Sequence, residues 1–284
     1  MLSDLVDCSM KKIVKITLAL FLLLVAHTGV NTIYAQCTKV NTSFKAGEEV
    51  NYHAYYNWGF IWLDAGWVSF TVSDAKWKGQ KSLKLESIGT TKGGYDRLFT
   101  VRDTFKVFVD PVTLTPFEFY QATNEGSTRA IHHYLFDEEE SIISARISRD
   151  SKPFENTAFH WPDCSYDVLS MIYQARNINF EKYKKGTKIP ISLLVDGEIH
   201  SLYIHYIGEE VVSDRSGRKF NCLKFKPLLV KGTIFKAGND MTVWVTNDKN
   251  KVPIIVEAKI LIGSVKAIIA DYEGLKYPLT SEIK

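Results

Sequence analysis

The chain has 284 residues, of which 45% are hydrophobic and 24% charged, and its formal net charge is +3. These values exclude a disordered or fibrous chain. With no concentrated basic patch, they also argue against a nucleic-acid partner.

The chain opens with a leader. Lys11, Lys12 and Lys15 precede the apolar run Ile16 to Ala26, and Ile33-Tyr34-Ala35 follows. A basic stretch, an apolar stretch and small residues make a secretory signal over residues 1–35, cleaved after Ala35. The apolar run is shorter than the roughly 20 residues a membrane span needs. The expectation is an exported protein, of the periplasm, with Met1 and Met10 both open as the start. Gln36 stands where lipidation at Cys37 would require a small residue. Removal of the leader takes away three lysines and two aspartates, leaving 32 basic and 30 acidic side chains. Lys182, Lys184 and Lys185 form the densest basic group, which reads as a solvated loop.

The mature chain is rich in strand formers. It carries most of the 16 Phe, 14 Tyr and 6 Trp, side chains that pack well on a pleated surface. Strand patterns run over Val50–Tyr56, Trp62–Val72, Ser82–Ile88, Asp103–Asp110, Phe117–Thr123, Ala130–Phe136 and Ser141–Ser148. Gly66 marks a bend or bulge in the second of these. Gly79 lies in a turn, and Asp137 to Glu140 read as an acidic hairpin turn. The pattern then changes to a helix over about Tyr166–Arg176. Val168, Leu169, Ile172 and Tyr173 share one face, Ser165 is placed to cap it, and Asp167 and Arg176 suit its dipole. Strands resume at Lys188–Val195, Glu198–Ile207, Lys219–Leu229, Met241–Thr246, Pro253–Leu261 and Ser264–Tyr272. Asp196-Gly197 and Ser216-Gly217 are tight-turn signals. Residues 273–284 read as a loose tail.

Two stretches resemble each other. Asp103, Val107-Phe108-Val109-Asp110 and Pro116-Phe117-Glu118 parallel Asp240, Val243-Trp244-Val245, Asn247-Asp248, Pro253 and Glu257. Gly79-Gln80-Lys81 and Gly217-Arg218-Lys219 precede them in the same order. The expected architecture is therefore mainly β: two similar antiparallel β-meanders forming curved or half-barrel sheets, with one short helix between them. The β-rich domain spans 36–272, with halves at 44–160 and 186–272.

The segments Phe44–Tyr52, Leu63–Gly66, Arg97–Asp103, Val109–Pro111, Phe220–Lys224, Thr242–Thr246 and Pro253–Lys259 together resemble the domain of unknown function 3108 family of exported bacterial proteins. The resemblance covers roughly residues 44–270. It implies an exported β-rich protein and carries over no catalytic residue. The proline-started hairpins also resemble those of periplasmic lipoprotein carriers, a likeness of fold alone.

No nucleophile–base motif, zinc-protease helix or phosphate-cradling loop occurs, so the sequence favours a noncatalytic protein without cofactor. His132 and His133 point to opposite faces of a strand and cannot share a metal, and no metal site is expected. Asp96, Arg97, Arg102 and Asp103 form a charge cluster around Phe99, read as ion pairs locking a loop or as an anion site. Tyr56, Trp58, Phe60, Trp62 and Trp67 form the densest aromatic stretch and are the candidate ligand contacts. Cys37 and Cys164 lie in irregular segments and are the candidate disulfide, while Cys222 alternates within a strand as a buried thiol. Three functions follow from these readings. The first is noncatalytic binding of a lipid, acyl chain or peptide. The second is envelope assembly by docking a protein partner. The third is hydrolysis of an envelope polymer by Asp64, Asp96 or Asp103 in a shared cleft.

Overall fold

The computed structural model describes residues 40–58, 61–94, 100–230, 241–259 and 263–283. The expected leader, Cys37, Phe60, Asp96 and Arg97 lie outside the described residues. The first eight strands are β1 (Glu49–Trp58), β2 (Ile61–Trp77), β3 (Gln80–Thr91), β4 (Arg102–Val109), β5 (Pro116–Glu125), β6 (Thr128–Asp137), β7 (Ile142–Arg149) and β8 (Glu155–His160). A short strand β9 (Ser165–Asp167), the helix α1 (Val168–Ala175) and a 3-10 turn (Phe180–Lys182) follow. Then come β10 (Lys188–Val195), β11 (Glu198–Ser213), β12 (Lys219–Pro227), β13 (Met241–Thr246), β14 (Pro253–Lys259), β15 (Ser264–Glu273) and β16 (Glu282–Ile283).

All of the strands belong to one sheet, in the order β8-β7-β6-β5-β4-β3-β2-β1-β15-β14-β13-β12-β11-β10-β9, with β16 beside β12. Each expected strand is found among the described residues, and β8, β9 and β16 are additional to those expected. The alternation is plainest in β7, where Ile143, Ala145 and Ile147 are buried between exposed neighbours. Tight turns carry the chain between long strands. Lys78 and Gly79 both take positive φ (46° and 86°), as do Asp196 and Gly197 (53° and 85°), the conformation of the two-residue turn that matches strand twist.

The two meanders β1–β6 and β10–β15 run in the same direction around the sheet and share local detail. In β4–β5 the register shifts just before Val109 meets Pro116. In β13–β14 it shifts just before Val245 meets Pro253. Each hairpin loop is folded by an aspartate carboxylate. Asp110 accepts from the amides of Val112 and Thr113, both at 2.8 Å. Asp248 accepts from those of Asn250 and Lys251, at 2.9 and 3.3 Å. Leu114 and Val252 follow them and are fully buried.

The sheet curls. Helix α1 packs on β3 and β4 and also on β9 and β10. Seven strands separate β3 from β10 in the sheet order. Laid flat, that interval would span roughly 38 Å at about 4.8 Å per strand step, whereas a helix is about 10–12 Å across. Only a sheet bent around the helix allows both contacts. The β10–β11 turn closes against the far side: Arg149 Nη2 donates to the Asp196 carbonyl at 3.4 Å, and a Cβ on Gly197 would lie 2.9 Å from Ile147 Cδ1. Leu169 and Tyr173 of α1 join Leu85, Val107, Phe119 and Tyr134 in one core. Ile189, Ile204, Phe225 and Val243 form a second, on the β10–β14 side.

Two expectations are corrected. The helix is capped by Asp167, which accepts from the amides of Leu169 and Ser170 at 3.0 and 2.9 Å. Ser165 lies in β9, its hydroxyl 2.7 Å from that of Ser192. The last residues are not a loose tail: Leu275 and Leu279 pack against the core, Ser281 is buried and β16 pairs with β12.

Candidate functional site

The curl leaves a cavity of about 390 Å³ between α1 and the concave face of the sheet. Each wall follows from strand alternation. From β1 and β2 come Val50, Tyr52, Val68 and Phe70, which face one another across the ladder (Val50 opposite Phe70, Tyr52 opposite Val68). From β12, β13, β14 and β15 come Phe225, Val243, Val245, Val256 and Ala267. From β10 and β11 come Ile191, Leu193 and Ile204, and from α1 come Val168, Met171, Ile172 and Ala175. Pro227, Leu228, Leu229 and Met241 line the end where β12 stops and β13 begins.

The other end is closed by an ion pair. Arg176, the residue that ends α1, gives Nη1 and Nη2 to the two carboxylate oxygens of Glu48, the second contact at 2.9 Å, and Nε to the Asn250 carbonyl at 3.0 Å. Glu48 is 1% exposed and Arg176 5%. Burial alone would lower the arginine's proton affinity, but the Glu48 charge and hydrogen bonds outweigh it and hold the guanidinium charged. The Tyr52 hydroxyl donates to the Pro253 carbonyl at 2.9 Å, and burial raises its proton affinity. Sequence reading placed Arg176 as a dipole partner in the last helical turn. Its true partner lies 128 residues earlier in the chain, and no local pattern links the two.

The aromatic candidates fall elsewhere. Val68 lines the cavity, so its neighbour Trp67 points to the opposite face of the sheet, where it is 42% exposed. Lys266, next to the cavity-lining Ala267, also points outward and holds its ammonium 5.0 Å over the Trp62 ring. Trp62 is 43% exposed. Tyr56 is partly buried and is not a lining residue. The Trp58 side chain and Phe60 lie outside the described residues. For Trp62 the cause is the expected irregularity at Gly66: Ala54 pairs with Gly66 but Tyr55 with Asp64. The extra residue, Ala65, reverses the faces of the β2 residues before it relative to Val68 and Phe70 after it. A Cβ on Gly66 would lie 2.3 Å from the Thr90 carbonyl oxygen, so only glycine fits there.

Of the charge cluster, Arg102 and Asp103 are among the described residues. Arg102 Nη1 donates to the Val101 and Thr91 carbonyls and to the Thr91 hydroxyl, at 2.7, 3.2 and 3.0 Å. It locks the backbone beside the β3–β4 connection. Asp103 accepts from the Asn124 amide at 3.1 Å and shares a hydrogen bond with Glu125. Burial, and then the charge of Asp103, push Glu125 up to about 7. Sequence reading missed Glu125, whose approach to Asp103 depends on the β4–β5 ladder. Asp64 lies apart from them, with Lys92 Nζ at 2.7 Å and His53 Nδ1 at 3.5 Å. Asp64 and Asp103 are therefore held by separate partners.

His132 is buried and His133 meets Glu118 at 2.7 Å on the other face. Among the described residues no three metal-ligating side chains gather. Cys164 is disulfide-bonded, and Cys222 is a free, fully buried thiol that burial pushes up to about 12. The candidate partner Cys37 lies outside the described residues. No described helix is long and apolar enough to cross a membrane.

Comparison with known proteins locates the chain among proteins that lack an assigned activity. The family described as Protein of unknown function (DUF3108) matches residues 51–270. No curated protein matches. Among solved structures, a β-barrel-like protein of the domain of unknown function DUF1849 from Brucella abortus superposes with a TM-score of 0.54 at 8% identity. The match covers 82% of this chain and 98% of that one. At that identity the likeness concerns the fold alone.

Proposed function

The chain belongs to the DUF3108 family of proteins of unknown function, and we propose that it is a noncatalytic protein that binds a hydrophobic ligand in the cavity beneath α1. The observation that carries this reading is the lining. Apart from one internally paired Glu–Arg couple, the walls are aliphatic and aromatic. Such a concavity gains free energy by exchanging water for apolar groups, at about 25 cal/mol per Å². Its size is that of a small-molecule site, about 300–1,000 Å³. The division of Asp64 from Asp103 disfavours hydrolysis in a shared cleft.

The same reading takes the protein out of the cytoplasm, with the leader cleaved after Ala35. The disulfide at Cys164 supports this, because such bonds persist in oxidising compartments.

The test uses N-phenyl-1-naphthylamine, an uncharged apolar dye. The wild-type protein should enhance its fluorescence saturably. Ala267→Phe, which fills the cavity from β15, should abolish the enhancement while retaining a cooperative thermal transition. Trp62→Ala, on the opposite face, should leave it unchanged. Absence of dye binding to the wild type would refute the reading.

A further inference from the structure

We infer that the ligand is a single unbranched hydrocarbon chain of roughly a dozen carbons that enters tail-first and leaves its polar head at the rim; this rests on the cavity being a binding site.

Size sets the first limit. A water molecule's share of liquid volume is about 30 Å³, and a methylene group is of similar size. A cavity of about 390 Å³ therefore holds roughly a dozen methylene groups. At the same size per group, the paired chains of a membrane phospholipid, about 32 carbons in all, need more than twice that space.

Polarity sets the second limit. An extended peptide brings an amide N–H and C=O at every residue, and each must be hydrogen-bonded when buried. The walls from β10 to β15 are aliphatic and aromatic side chains that supply no such partners. A plain hydrocarbon requires none.

Direction follows from burial and charge. At one end Glu48, Val50, Tyr52 and Arg176 are 1–5% exposed. At the other, where β12 stops and β13 begins, Leu228, Leu229 and Met241 are half-buried. Among the described residues the β12–β13 end is the more open one, and we take it as the entrance. The arginine at the closed end has no charge left to offer an incoming carboxylate. Both Glu48 oxygens and all three guanidinium nitrogens are engaged. A second anion there would face a neutralised pair inside a low-dielectric site, at a large desolvation cost. The head group stays outside.

The experiment displaces bound N-phenyl-1-naphthylamine with saturated alcohols, carboxylic acids and methyl esters of graded length, each below its aggregation concentration. Affinity should rise about fourfold per methylene, the ratio equivalent to about 0.8 kcal/mol, and level off near a dozen carbons. At equal length the three head groups should agree within about threefold. An acid that binds more than about tenfold tighter than its ester would place the head at Arg176 and overturn the inference. So would affinity that keeps rising far beyond a dozen carbons, or a dye that no straight chain displaces. Failure of the dye itself to bind would instead remove the underlying reading.

Discussion

Glu48 and Arg176 show how a single contact can govern one end of the molecule. Two charges taken out of water cost several kcal/mol each, and only their mutual hydrogen bonding offsets that cost. Glu48→Ala would leave a buried, unpaired guanidinium and should lower unfolding free energy by about 3–5 kcal/mol. Replacing both residues by methionine should recover most of that loss, because no charge then remains to be solvated. Urea titrations of the two variants decide the matter, and a loss below about 1 kcal/mol for the single change would refute the account. The Asp103–Glu125 pair adds a pH dependence. The folded-state value of Glu125, about 7, lies above its ordinary 4.5, so folding holds a proton that the unfolded chain releases. Its contribution is full below about 4.5 and is lost as pH rises through about 7. The melting temperature should therefore fall between about pH 5 and 8, and Glu125→Gln should flatten that fall.

At the scale of elements, α1 has eight residues, too few to be stable alone. It exists because Leu169 and Tyr173 are buried in the core, while Met171 and Ile172 face the cavity. These roles separate in mutagenesis. Leu169→Ala should cost about 2–5 kcal/mol of stability. Ile172→Ala, at an exposed position, should change stability by less than about 0.5 kcal/mol yet weaken dye binding. Equal effects of the two substitutions on stability would contradict this division. The helix itself was legible from the three- and four-residue spacing of its apolar residues. Its true start was not, because Ser165 and Asp167 are both good caps. The pairing of β9 with β10 takes Ser165 into the sheet and leaves the capping to Asp167.

At the scale of the molecule, the C-terminal segment secures the β12 side of the sheet. Asn250 Nδ2 donates to the Tyr277 carbonyl at 3.0 Å and Asn250 Oδ1 accepts from the Tyr277 amide at 3.0 Å. Leu275 and Leu279 bury apolar surface beside Phe220 and Val252. Truncation after Gly274 should therefore lower the melting temperature by several degrees, as a loss of about 1–2 kcal/mol does in a protein of this size. An unchanged melting curve would show the segment to be dispensable.

Strand positions, turn sites, the bulge at Gly66 and the likeness of the two meanders could be read from residue order, since each depends on neighbours two to four positions apart. The buried thiol of Cys222 was legible for the same reason. Alternation shows that a strand has two faces but not which one the sheet encloses. The aromatic stretch around Trp62 and Trp67 therefore lies on the face opposite the cavity, whose lining comes from aliphatic and aromatic residues of α1, β1, β2 and β10–β15. The Glu48–Arg176 pair, the Asp103–Glu125 pair and the cavity arise only when distant segments are brought together. That depends on how far the sheet bends around α1, a property of the packed whole that no local stretch encodes.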